Sequence, residues 1–287
     1  MDPRQPTQAE APSMPPGNNL HIRTSRDTLD FLDIEEQYLY DYSGVPDHAM
    51  KESAHSAGLI SATMEQFEKR VDFESWLIAP ESKLLVVKHQ NVKPEMNQAL
   101  GVISTYVKDQ AAYTGSVALY FYHPEEYHQE IIPSDSSFVL RCLLYQLLGF
   151  LKPDTELKWN DASHHPDNIK DIIVYLMGLI PNGRKIFIFI HGLNGLFGRG
   201  KNQEEARAKN YEEAIIVDFL YYLMIKFRPD GKVIKIMLTP PLPLNNTHLF
   251  QGEDILQLIT RFPGLHNYEV TGVTEIFREK CRGWMVE

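Results

Sequence analysis

Residues 185–202 read KIFIFIHGLNGLFGRGKN and carry the densest set of groups able to handle a phosphate. Gly195, Gly198, Gly200 and Lys201 follow an apolar run, and Gly195–Asn202 matches the phosphate-loop pattern GxxxxGK[ST] except at its last position. In such a loop, backbone N–H groups and a helix N-terminus converge on the phosphates, a lysine neutralises them, and the final hydroxyl binds Mg²⁺. Asn202 has no hydroxyl, and His191 to Asn194 separate the loop from its strand. A His-Gly pair after a strand also suits the oxyanion hole of an α/β-hydrolase. That chemistry needs a later GxSxG elbow, and no serine follows Ser163, which excludes it.

Other polar clusters imply less. His164, His165 and Asp167 contain two adjacent histidines, whose side chains point different ways, and no third ligand is fixed beside them. His123 and His128 flank an acidic loop that reads as solvated. Cys142 and Cys281 form no CxxC pair, so neither a zinc motif nor a redox motif is present. No metal site is expected.

The chain that must position these residues has 287 residues, 43% of them hydrophobic and 23% charged, enough for a large core. Its net charge of −10 argues against a nucleic-acid partner, which would need a basic face. The first twenty residues, MDPRQPTQAEAPSMPPGNNL, hold no apolar signal-peptide core, and no apolar run reaches the roughly 20 residues of a membrane helix. The expected location is cytoplasmic, with no membrane partner.

Four apolar runs predict buried strands: residues 83–87, 116–123, 185–190 and 232–239. Between and before them, residues 94–110, 136–151, 168–180 and 204–227 carry helical patterns. Pro94 suits a first helical turn, and Pro240-Pro241 ends the last strand. Alternation of this kind predicts α/β layers around a mostly parallel sheet. The expected organisation is a disordered tail over 1–23, a helical lead-in over 24–75, an α/β domain over 76–250 and a helical extension over 251–287.

A second phosphate-loop position lies upstream. Phe73, Trp76 and Leu77 precede the strand LLVV, and His89-Gln90-Asn91-Val92-Lys93-Pro94-Glu95-Met96 joins that strand to a helix. Further on come VALYFYH (117–123), LRCLLYQLL (140–148) and IFIHGLNGL (188–196). In order and spacing this series resembles the NACHT-like STAND P-loop NTPases common in fungi, of the type with a nephrocystin-like N-terminal NTPase domain. Their entry reads F-x-x-W-L, an apolar strand, then G-K-P-G-S-G-K-S-T and a helix. The resemblance spans about residues 60–245, and LRCLLYQLL is its closest single segment. It implies a P-loop NTPase-like three-layer α/β sandwich.

The motifs themselves are degenerate. By the resemblance, His89 stands at the first glycine, Pro94 at the last, Glu95 at the phosphate lysine and Met96 at the Mg²⁺ serine. In the Walker B position His191 replaces the Mg²⁺ aspartate, Asn194 the second acid and Gly195 the glutamate. The sensor position reads KIMLTPP and has lost its arginine. Physically, Pro94 has no N–H to donate, Val92 puts a side chain where glycine allows close approach, and Glu95 reverses a charge worth roughly 4 kcal/mol at about 4 Å and an effective dielectric near 20. Lys93 is offset by two positions from the place of the lost lysine. His191 is a poor ligand for Mg²⁺, which prefers oxygen. The expectation is a catalytically inactive NTPase-like module without cofactor that binds a protein partner, such as full-length STAND-type proteins. The alternative is a nucleotide binder or phosphohydrolase that uses Gly195–Lys201 with ATP or GTP and Mg²⁺.

Overall fold

The computed structural model describes residues 20–24, 57–89, 94–122, 136–151, 155–160, 166–193, 203–239 and 255–260. In chain order the elements are β1 (Leu20–Thr24), α1 (Ala57–Glu68), α2 (Val71–Ile78), β2 (Lys83–His89), α3 (Pro94–Tyr113), β3 (Val117–Tyr122) and α4 (Ser136–Gly149). They continue with β4 (Glu156–Asn160), α5 (Pro166–Leu179), β5 (Ile186–His191), α6 (Gln203–Phe227), β6 (Ile234–Thr239) and β7 (Ile255–Thr260).

Five strands form one parallel sheet in the order β3-β5-β6-β2-β7. Strand side chains alternate between the two faces, and both faces are covered. Leu85, Val87, Ala118, Tyr120, Phe187, Phe189 and Met237 pack against α1, α2 and α3. Leu84, Val86, Leu119, Phe121, Ile188, Ile190, Ile236 and Leu238 pack against α4, α5 and α6. The result is a three-layer α/β sandwich. Burial on both faces explains why the strands read as unbroken apolar runs. The path of the chain explains the division of helices. From β2 it crosses β6 and β5 to reach β3, whereas β3 to β5 and β5 to β6 step the other way. Right-handed crossovers moving in opposite directions place their helices on opposite faces.

Trp76 anchors the first face. It is fully buried, meets the rings of Phe187 and Phe189 edge-on at centroid distances of 5.8 and 6.3 Å, and donates its indole N–H to the Lys83 carbonyl at 3.1 Å. A large ring at this position needs a polar partner for its one N–H, and the start of β2 supplies it.

Strand β3 lies at one edge of the sheet, where outward N–H and C=O groups would be left unpaired. Gln146 of α4 pairs with one residue's worth of that edge: its Oε1 accepts from the Tyr120 N–H at 2.8 Å and its Nε2 donates to the Tyr120 carbonyl at 2.6 Å. Replacing Gln146 with Ala is expected to lower stability by about 1–2 kcal/mol, read from the urea midpoint; an unchanged midpoint would show that the amide adds nothing beyond what water provides.

Two departures from the sequence expectation concern pairing. Composition places residues 20–23 in the tail, yet they lie in β1, which pairs antiparallel with β4 from Leu20↔Asn160 to Thr24↔Glu156. Residues 255–260 were assigned to a helical extension beyond the α/β domain, yet β7 completes the sheet beside β2, from Leu84↔Ile255 to His89↔Thr260. A six-residue apolar run such as ILQLIT has no period that separates strand from helix; a partner strand decides it. Residues 25–56 of the expected helical lead-in lie outside the described residues.

Candidate functional site

In a parallel sheet every strand ends on the same edge. The chain after β2, β3, β5 and β6 therefore leaves from one side, where open α/β sheets bind ligands at a reversal of strand order. Here the reversal falls beside β2, whose crossover helix α3 covers one face while α6, after β5, covers the other. Both phosphate-loop positions are thus attached to this edge. One follows β2 and the other follows β5, with β6 between them, so the two strand ends stand about 10 Å apart.

At the first position β2 runs two residues past the expected strand, to His89, and the next helix, α3, begins at Pro94, where the sequence places a helix start. Glu95 and Met96 fall in the first turn of α3. A helix N-terminus attracts anions through its free N–H groups and its dipole. Pro94 removes one donor from this turn, and Glu95 is an acidic residue in a turn whose use for phosphate would call for a basic one. Lys93 lies outside the described residues. So do Asn194, Gly195, Gly198, Gly200 and Lys201, which include the whole of the second phosphate-loop candidate.

His191 is a sequence-selected residue that lies within the described strands. It is the last residue of β5 and is 3% exposed. Its neighbours in register are Tyr122 at the end of β3 and Thr239 at the end of β6. Its Nδ1 shares a hydrogen bond with Thr239 Oγ1 at 2.7 Å, and its ring stacks on Tyr122 with centroids 4.9 Å apart and planes inclined by 13°. Tyr122 is pressed in turn against α3: a Cβ placed on Gly101 would stand 2.5 Å from the Tyr122 Cε2. The row Tyr122–His191–Thr239 therefore closes the end of the sheet beneath α3. Gly192 follows with φ at 77°, a conformation that glycine adopts without strain, and turns the chain away at once. Its N–H returns to the Thr239 carbonyl at 3.3 Å.

An imidazole hydrogen-bonded to a hydroxyl and sandwiched against a phenol ring offers no carboxylate to Mg²⁺. No group of three or more His, Cys, Asp or Glu side chains able to hold a metal occurs among the described residues. His164 and His165, His123 and His128 lie outside them. Cys142 is buried in the core of the second face, and burial pushes its thiol well up, so it is no nucleophile at neutral pH. None of the described helices is long and apolar enough to cross a membrane.

Thr239 and Tyr122 were not singled out from the sequence. Each lies in a strand that reads as plain core, and only the register places them beside His191. A comparison of the chain with family models, with curated proteins and with solved structures found no match.

Proposed function

We propose that this chain is an NTPase-like scaffold without NTPase chemistry, of the NACHT-like STAND type seen in fungi, which serves in the cytoplasm as a protein-interaction or regulatory module. The observation that carries the reading is the 2.7 Å bond between His191 and Thr239. It fills the strand ends where an acid would have to face a nucleotide-bound Mg²⁺. The five-stranded parallel sheet with helices on both faces is compatible with a P-loop-like sandwich, and the β2–α3 junction falls where such a sandwich holds its phosphates. Proline at the start of α3 and glutamate beside it oppose phosphate binding there. An interaction role is further supported by α6, where Tyr211, Tyr222 and Ile225 are exposed on one side of the helix at helical spacing.

Titration of the purified protein with ATP and GTP in the presence of Mg²⁺ is expected to give no binding at micromolar concentrations. Micromolar affinity abolished by Lys201→Ala would instead establish the second reading, a nucleotide site built on Gly195–Lys201. That reading draws its support from the departure of the loop after β5 from the ligand-binding edge of the sheet. For the partner, capture from the native host with the wild-type chain is expected to retain a STAND-type protein, and the double change Tyr222→Glu and Ile225→Glu to lose it. A chain that emerges from the host as a partner-free monomer would refute the interaction role.

A further inference from the structure

The opposite edge of the sheet, where the strands begin, holds a second unusual cluster. Two lysines of the same short segment meet opposite fates. Lys232 is 4% exposed and donates to three carbonyls at the end of α5: Met177 at 2.9 Å, Gly178 at 2.8 Å, and Ile180. It caps the helix, and its charge complements the negative end of the helix dipole. Lys235, three residues on and facing the other side, is 0% exposed, and its Nζ has no hydrogen-bond partner among the described residues.

Lys235 is also surrounded by its own kind. Lys83 of β2 is its direct register partner, and Lys185 precedes β5 two positions before Phe187, the partner of Lys235 on that side. The alternation of side chains puts all three on the face covered by α1–α3. Like charges directly opposite one another in a sheet are destabilising. Both lysines act on Lys235 electrostatically in the same adverse sense, and Glu81 alone opposes them. In a chain of net charge −10, three cations stand near one carboxylate, and the innermost has no acceptor among the described residues.

We propose that Lys83, Lys185 and Lys235 form a binding site for a small tetrahedral oxyanion of the phosphate or sulfate class, at the edge of the sheet opposite the His191 cluster. A compact anion with several oxygens supplies the acceptor that Lys235 lacks and separates the three ammonium groups. Lysine suits this task because it binds phosphate as a point charge with three rotatable donors. Lys83 and Lys185 are partly exposed, whereas Lys235 is buried on the strand between theirs. The depth of Lys235 favours a free ion over the phosphoryl group of a large ester. Residues 235 and 239 of β6 are about 13 Å apart along the strand, so this site is separate from the nucleotide position.

The site also couples to protons. Without a ligand, burial and the two neighbouring lysines pull Lys235 down to about 7, and Glu81 opposes this. An anion favours the ammonium form, so its binding takes up a proton near neutrality and weakens as pH rises.

Calorimetric titration at constant ionic strength, with chloride as the background anion, tests this. Inorganic phosphate and sulfate are expected to bind the wild-type chain in the millimolar range or tighter. Lys235→Met is expected to weaken both at least tenfold, and Lys83→Ala severalfold. Glycerol phosphate, the arm that separates an ester from a free ion, is expected to bind far more weakly than phosphate. Equal binding of the two would overturn the free-ion assignment. Sulfate keeps one charge state between pH 6 and 9, so its affinity isolates the lysine. It is expected to fall roughly tenfold per unit once Lys235 deprotonates. Binding that is absent in the wild type, unchanged in folded Lys235→Met, or flat with pH overturns the site.

Discussion

Lys235→Met is expected to make the protein more stable, by about 2–4 kcal/mol at pH 7 in buffer free of multivalent anions. The side chain is 0% exposed, lies in a central strand and has no partner for its ammonium group among the described residues. Methionine keeps the length of the chain and removes the group that cannot be solvated. The unfolded chain holds the proton of Lys235 up to about 10.5, whereas the folded chain releases it near 7. Between those values the unfolded state binds the extra proton, so the stability of the wild type rises with pH through that window. Below it the penalty is fully present; a shift of that size corresponds to an energy on the order of 5 kcal/mol. Urea denaturation at pH 6, 7.5 and 9 is therefore expected to show a pH-dependent rise in the wild type that is flattened in Lys235→Met. A methionine variant less stable than the wild type at pH 7 would mean that the amine has an acceptor within the fold. A lysine retained against such a cost is more intelligible as a ligand group than as packing, in line with the usual conflict between function and stability.

His191→Asp restores the acid that the family resemblance calls for, and it is expected to harm the protein without restoring chemistry. The carboxylate would sit at a position that is 3% exposed, between Tyr122 and Thr239, with the ring stacking lost. Burying a charge beside a hydroxyl and a phenol ring costs about 2–4 kcal/mol. Burial raises the pKa of such a carboxyl, so the loss is expected to deepen from pH 5 to pH 8. Thermal unfolding at the two pH values measures this. Titration with Mg²⁺ and ATP is expected to remain blank, because the β2–α3 junction still carries Pro94 and Glu95. A variant of full stability that bound Mg²⁺ and nucleotide would show a site one substitution away from function and would remove the basis of the scaffold reading.

Much of the fold was legible because its signals are local. The runs at β2, β3, β5 and β6 are short, continuous and apolar, which is what burial on both faces of a sheet demands. Pro94 marked the start of α3, and the long pattern ending at Phe227 marked α6. What escaped was pairing over distance. Nothing near Leu20 announces that its strand partner is Asn160, and nothing in ILQLIT announces a place beside β2. The candidate site divides in the same way. His191 stood out by its position at the end of a strand, but the hydroxyl that satisfies it lies 48 residues away in another strand.

The sequence by itself determined the layered α/β class, the order of the main elements and which residues stand at the two phosphate-loop positions. Those properties depend on residue type and on neighbours a few positions apart. The tertiary structure alone decided the register and the partners of buried polar groups. It brought Tyr122, His191 and Thr239 into one row, gave Lys232 three carbonyls and, among the described residues, gave Lys235 none. Hydrogen bonds and like-charge contacts are set by distances of a few ångströms, and residues far apart in the chain reach such distances only when the sheet is assembled.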